Sequence, residues 1–362
     1  MFIRWTILLI TASFVLINGI SKPRHNWDMI GYVAAAHHKD GYRGTQLLER
    51  TYSELRAEVS PRIFSSLTEG QYRETVFKDP RALEQQVPFY SIRVLYIELM
   101  RLVSHLGISY AKSTYILSAL FASFSVVVLY KLLLAEKISV LMLPVIVGPA
   151  GIVQLATLSA PDAMACFFSL LAALGLLSNN RSALFLAAVL PLIRTDFVLL
   201  SLLITCYEFA RGKRRGSVAS LAAAVTIYLT VNHFSGNYGW LTIFNFSLIA
   251  LDPYPANLVL SKQFMNYIKP YASALLEVST ATHFVLYVLA IFTLAIRRRA
   301  ALADPSAVPL LLIPLAFVIL HLALFPTYEQ RFFVAAATLV FVWLLHEISK
   351  QKSGSFREST RT

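Results

Sequence analysis

The residues in this chain equipped for chemistry are carboxylates and arginines, and they stand in a few short, separated strings. Asp28 ends His25-Asn26-Trp27-Asp28, and Asp162 ends Ser159-Ala160-Pro161-Asp162. Arg194-Thr195-Asp196 sets a cation and an acid two residues apart, and Tyr328-Glu329-Gln330-Arg331 adds a phenol, an acid and a second arginine. A single carboxylate beside apolar surroundings suits a proton acceptor, and the planar fork of arginine suits a phosphate. Together they point to acid–base chemistry on an anionic group. Lys262 and Lys269 lie with Asp252, Tyr267 and Tyr271 in an aromatic-rich stretch; they read as interfacial anchors or as further cations for the same substrate.

Other chemistries lack their residues. His37-His38-Lys39-Asp40 approaches the His-His-x-x-x-Asp acyltransferase pattern, but the position that needs the acid holds Tyr42. No Gly-rich nucleotide loop, zinc spacing or serine-hydrolase elbow is present. Cys166 and Cys206 sit in apolar runs and read as buried thiols, not as a disulfide or metal pair. His321, deep in an apolar run, reads as a packed histidine. The chain therefore calls for no metal and no cofactor.

The elements that must position these groups follow from composition. Of 362 residues, 57% are hydrophobic and 14% charged, against roughly 25% charged in soluble domains; mean hydropathy is +0.61. So little charge cannot cover a soluble surface. The net charge of +12 could suit nucleic acid, but the cations fall between apolar runs, where they orient helices against a bilayer. Runs at 2–20, 111–134, 138–158, 163–177, 183–193, 197–209, 218–231, 283–296, 308–325 and 332–348 predict an all-α bundle of about ten spans. The first reads as an uncleaved helix, since no small-x-small cleavage site follows it. The bundle is read as one domain over 1–348, with a first outer loop at 21–110, a second at 232–282 and a basic cytoplasmic tail at 349–362. Within the first loop, 88–106 carries Arg93, Glu98 and Arg101 at the spacing of an amphipathic interfacial helix.

Threading the chain with its N-terminus in the cytoplasm puts Lys131, Lys137, Arg181, Arg211–Arg215, Arg297–Arg299 and the tail on the inside. Asp28, Asp162, Arg194, Asp196 and Arg331 then share the outer face. The halves of 183–209 must be two short helices meeting at Arg194, because one long helix would invert every later charge cluster. At ~1.5 Å per residue they reach only ~16–20 Å, so their turn is sunk beneath the surface, where a polar cavity must surround it.

This layout resembles the C-type (GT-C) glycosyltransferase superfamily, polytopic enzymes that use polyprenyl-phosphate sugars. The resemblance rests on Asp28 with Tyr32 and Ala34 after the first span, and on the long first loop with its interfacial helix. It continues in Ser-Ala-Pro-Asp at 159–162, the Asn-Asn-Arg to Arg-Thr-Asp passage at 179–196 and Tyr-Glu-x-Arg at 328–331. It implies an inverting transfer on the outer face, in a bacterial inner membrane towards the periplasm, from a lipid-linked donor to a lipid, glycan or protein hydroxyl. Asp28 would be the general base, and Asp162, Arg194, Asp196, Tyr328, Glu329, Arg331 and Lys262 would bind substrate. Asp28 stands alone where many members carry two acids, which implies no metal.

Structural readings compete at each position. Asp28 can cap the helix that follows it, and Ser159-x-x-Asp162 matches a capping box. Arg194 and Asp196 can form a structural ion pair, and Arg331 can snorkel to headgroups. A polysaccharide polymerase or ligase fits the same layout. A transporter or lipid flippase fits less well, because only one half shows a broken helix pair.

Overall fold

Both the apolar runs and the polar stretch after the first of them fold into helices. The computed structural model describes residues 2–359, with side chains to 351, and all named elements among them are helical. Along α1 (Phe2–Ser21), Ile3, Ile10, Phe14 and Ile17 are exposed on one side, as suits a helix facing lipid. Gly19 lies on the other side, where an added Cβ would stand 2.5 Å from the Ala156 carbonyl oxygen.

Residues 21–110 build six helices: α2 (Asp28–Lys39), α3 (Gly44–Glu58), α4 (Pro61–Thr68), α5 (Gln71–Lys78), α6 (Pro80–Ser91) and α7 (Val94–Ser104). Local sequence starts two of them. Ser60 accepts the Ile63 N–H and Asp79 the Arg81 N–H, each just before a proline at the first helical position. The helix expected at 88–106 is the end of α6 plus α7, with a break at Ile92 and Arg93. Its charges pair at the surface with the end of α2: Glu98 with Lys39, and Arg101 with Asp40. α2 is buried over most of its length, with Gly31 pressed against the Tyr90 ring of α6.

α8 (Tyr110–Ala135) has 26 residues and is ~39 Å long, so its ends mark two faces of the molecule. Near its start, Tyr115 donates to Glu58 and Ser118 donates to the carbonyl of Ala160. Past its end, Glu136 meets Ser306 and His346. Then come α9 (Leu143–Val147), α10 (Ile152–Thr157), α11 (Asp162–Leu177), α12 (Ser182–Val189), α13 (Val198–Ala210) and α14 (Arg214–Phe234). The remainder is α15 (Trp240–Leu248), α16 (Phe264–Thr280), α17 (His283–Leu302), α18 (Ile313–Leu324) and α19 (Val334–Ser359).

The expectation of about ten spans does not hold. Among the described residues, α1, α8, α14 and Gln330–Gln351 are long and apolar enough to cross a membrane; α16 and α17, bent by 85°, make a fifth if counted as one. Proline and glycine explain the difference, because a proline inside a helix removes a donor and clashes with the preceding turn. The 138–158 run is cut at Pro144 and Gly148-Pro149, leaving a 3₁₀ turn and the short α9 and α10. Gly151 between them takes φ +94°, and a Cβ there would meet Val334 at 3.0 Å. The 183–209 stretch does give two short helices, of 8 and 13 residues. The 308–325 run stays one apolar helix, Val308–Leu324, entered through a π-helical turn at Pro309, and is only too short for a full span. These short pieces pack between the longer helices.

Cys166 is buried and Cys206 is exposed on α13, so one of the two thiols departs from its expected burial. Of the expected basic tail, Lys350 pairs with Asp304 and Glu347, while the side chains of 352–362 lie outside the described residues.

The seat of α2 is testable. Gly31→Val drives a side chain into the Tyr90 ring and should lower stability by at least the ~1–3 kcal/mol typical of overpacking. Thermal unfolding of the purified protein reads this directly; an unchanged melting temperature would mean α2 does not rest on α6 in this way.

Candidate functional site

Asp28 is the first residue of α2 and makes no capping hydrogen bond. Its Oδ2 instead accepts from Asn26 Nδ2 at 3.0 Å and pairs with the Arg331 guanidinium, 303 residues away in sequence. Asp162 likewise opens α11 without capping it, and the expected capping box does not form: Ser159 Oγ is buried with no hydrogen-bond partner. The Asp162 Oδ1 accepts from Arg194 Nη1 at 2.7 Å, and its Oδ2 lies 3.6 Å from Arg331 Nη1. Both first-turn acids are thus spent on long-range partners.

Arg194 sits in an extended residue between the 3₁₀ turns Leu190–Leu192 and Thr195–Phe197. Its side chain is only 4% exposed and forks onto Asp196, with Nε and Nη2 each 3.1 Å from a carboxylate oxygen. His321, near the end of α18, places Nε2 3.4 Å from Asp196. The Phe332 ring backs both cations, 4.1 Å from the Arg194 guanidinium and 5.0 Å from that of Arg331. Three aspartates, two arginines and a histidine therefore form one connected network. They come from the starts of α2 and α11, the 190–197 turn, α18 and the segment entering α19. With three aspartates against two guanidiniums, one carboxylate is in excess.

The other expected residues are placed differently. Glu329 is 3.7 Å from Arg331 Nε and more than half exposed, at the rim of the network. Tyr328 turns away: its hydroxyl lies 3.1 Å from both His283 Nδ1 and the Tyr287 hydroxyl, in a separate buried cluster. Its N–H donates to Glu277, so it fixes the loop that carries Arg331. Lys262 and Lys269 are exposed, and neither touches the network. Sequence reasoning passed over Asn26 and Phe332; His321, read as a packed histidine, is buried as expected, with Asp196 as its neighbour.

Below the network lies a narrow, nearly filled apolar slot, with about 30 Å³ open to a water-sized body. Asp162 and Arg331 stand at its charged end, and its walls come from α11, α13, α18 and α19, including Cys166, Ile204, Phe317 and Leu339. From Asp162 to Leu176, both of which line it, is ~21 Å along α11. Above the network, the second polar stretch is strapped to α6. Gln86 donates to the carbonyl of Pro253, Tyr254 to Asp79, and Tyr238 to the carbonyl of Gln85.

The network fixes the sign of its own mutational response. Arg194→Met leaves Asp162 and Asp196 without their guanidinium and should destabilise the protein by roughly 3–5 kcal/mol. Adding Asp162→Leu removes one of the stranded charges and should recover part of that loss, so a double-mutant cycle on unfolding should show strong coupling. Additive effects would mean the two side chains do not meet.

Comparison with known proteins finds no family model, no curated protein and no solved structure that matches this chain.

Proposed function

We propose that the protein is a membrane glycosyltransferase, built like the C-type superfamily, that moves a sugar from a polyprenyl-phosphate carrier to a hydroxyl acceptor. One observation carries this reading. A carboxylate (Asp28) and a guanidinium (Arg331), groups suited to taking a proton and holding a phosphate, share an ion pair at the head of a narrow apolar slot. A lipid-linked phosphosugar offers a phosphate for the guanidinium and a sugar beside the carboxylate, and its apolar chain enters the slot only as the walls part, since about 30 Å³ is open there.

The residues divide the work by exposure. Arg331 is 24% exposed, and its Nε makes no hydrogen bond although buried, so it can take a phosphate oxygen. Arg194 is enclosed by Asp162 and Asp196; it holds Asp162 in place and does not itself reach the donor. An arriving phosphate competes with Asp28 for Arg331 and frees the carboxylate. The acceptor oxygen then attacks the anomeric carbon, Asp28 takes its proton, and the bond from that carbon to the phosphate oxygen breaks with inversion. The departing lipid phosphate gains negative charge as it leaves, so its contact with Arg331 strengthens in the transition state. The network faces the outside, and the Arg211–Arg215 end faces the cytoplasm.

A second reading has one observation in its favour. The 85° bend between α16 and α17 adds a broken passage in the second half of the chain, and paired broken helices are a transporter trait. A polymerase or ligase would use the same groups and differ in its acceptor.

Asp28→Asn separates these readings. It keeps shape and hydrogen bonding but removes the base, so transfer from a panel of polyprenyl-phosphate sugars should fall by ~10²–10⁴ while the melting temperature stays near that of the parent. Arg331→Lys keeps the charge but loses the fork, and should lower kcat more than it raises KM. Full turnover by Asp28→Asn sinks the proposed base. Movement of lipid between leaflets with no sugar transferred by the parent protein would establish the transporter instead. For orientation, a cysteine introduced at position 213 should be labelled only from the cytoplasmic side.

A further inference from the structure

A second built feature lies at the opposite end of the bundle, away from the network. Arg211 donates to the carbonyl of Leu176, and Lys213 to that of Asn179, which puts the Arg211–Arg215 string beside the C-terminal end of α11. Between α12 and α14 runs an open groove of about 800 Å³. Its floor is regular. Leu184, Phe185 and Ala188 follow one another at helical spacing along α12, and Gly216, Ala219, Ser220 and Ala223 do so along α14. The Ser220 hydroxyl donates to the carbonyl of Leu184 at 2.6 Å and fixes the two helices against each other. Gly216 keeps the upper end open, since a Cβ there would already touch Leu184 at 3.0 Å.

The mouth of the groove is basic. Arg181, Lys213, Arg214 and Arg215 line it, and Arg211 is next in the chain. The carboxylate serving this string is Glu208, which pairs with Arg211 at 3.3 Å and Lys213 at 2.5 Å. Arg181 and Arg215 have no acidic partner among the described residues. α14 is also one of the helices long enough to cross a membrane, and only 22% of its span is buried within the protein. Phe185 beside it is 68% exposed. The groove therefore opens onto the bilayer, with an uncompensated positive mouth at one end of a span and an apolar floor running inward.

We propose that this groove is a binding site for one anionic phospholipid. Its phosphate lies between Arg181 and Arg215, and one acyl chain lies along Phe185, Ala188, Ala219 and Ala223. Charge complementarity selects the headgroup, and the apolar floor selects a lipid over a soluble anion. This site is independent of the transferase reading and stands or falls without it.

The test is native mass spectrometry of the full chain in detergent, titrated with phosphatidylglycerol, phosphatidylcholine or the chainless headgroup glycerol phosphate. One phosphatidylglycerol should be retained, with phosphatidylcholine at least tenfold weaker and glycerol phosphate not retained. Arg181→Gln with Arg215→Gln removes two surface cations and should weaken phosphatidylglycerol about thirtyfold. Ala219→Trp fills the groove without changing charge and should weaken it comparably, while Arg298→Gln with Arg299→Gln, elsewhere on the chain, should not. Equal retention of the two phospholipids, or retention of glycerol phosphate, overturns the site. So does a response to the charge variant without one to Ala219→Trp, which would mean diffuse attraction to the membrane surface. Elution of both groove variants as the parent does on size exclusion keeps a loss of binding from being a loss of fold.

Discussion

Arg194 is enclosed to all but 4% of its side chain, and much of the architecture around it follows from the need to neutralise it there. A guanidinium taken out of water is tolerated only when its hydrogen bonds and its charge are met by well-placed partners. Asp196 comes with it in the same turn, but Asp162 must be delivered by α11, and that carboxylate also faces Arg331 from the entry to α19. Arg331 in turn reaches Asp28 on α2. One buried charge thus commits four separate parts of the chain to meet, in a bundle whose remaining helix contacts are mostly apolar and non-directional. Packing holds these helices together, and the ion network says which ends must meet.

Much of this was legible in the residues. The sunken Arg-Thr-Asp turn followed from helix length and from the side on which the basic clusters had to fall, and the structure does place it between two short helices. The convergence of Asp28, Asp162, Arg194, Asp196 and Arg331 was an expectation of layout, and the structure brings them together. The span count was not legible by the same route. Hydropathy registers apolar runs, but it is blind to Pro144 and Pro149, which decide whether the 138–158 run continues as one helix.

The local signals at Asp28 and Asp162 misled in an instructive way. Both occupy first-turn positions where an acid is favoured, and Ser159 even supplies the other half of a capping box. Capping is a local alternative, and a guanidinium brought in from elsewhere supplies a stronger, charge-assisted partner. Tyr328 shows the converse limit. Three-residue proximity to Arg331 suggested a shared site, yet the loop turns Tyr328 into a different cluster with His283 and Tyr287. Near neighbours in an irregular segment need not share a direction. The six helices of 21–110 were likewise read as little more than one, although Leu47, Thr51 and Leu55 fall at buried helical spacing in α3.

The distance in sequence between Asp28 and Arg331 has a consequence in time. At ~5–20 residues per second, roughly 15–60 s of synthesis separate the two residues. Throughout that interval the nascent protein holds Asp28 without its guanidinium, and Asp162 waits for half of its own complement. The entry to α19 therefore acts as a latch set near the end of biogenesis: the helices made first have a place to go, but the charged end of the molecule cannot close until one of the last segments arrives.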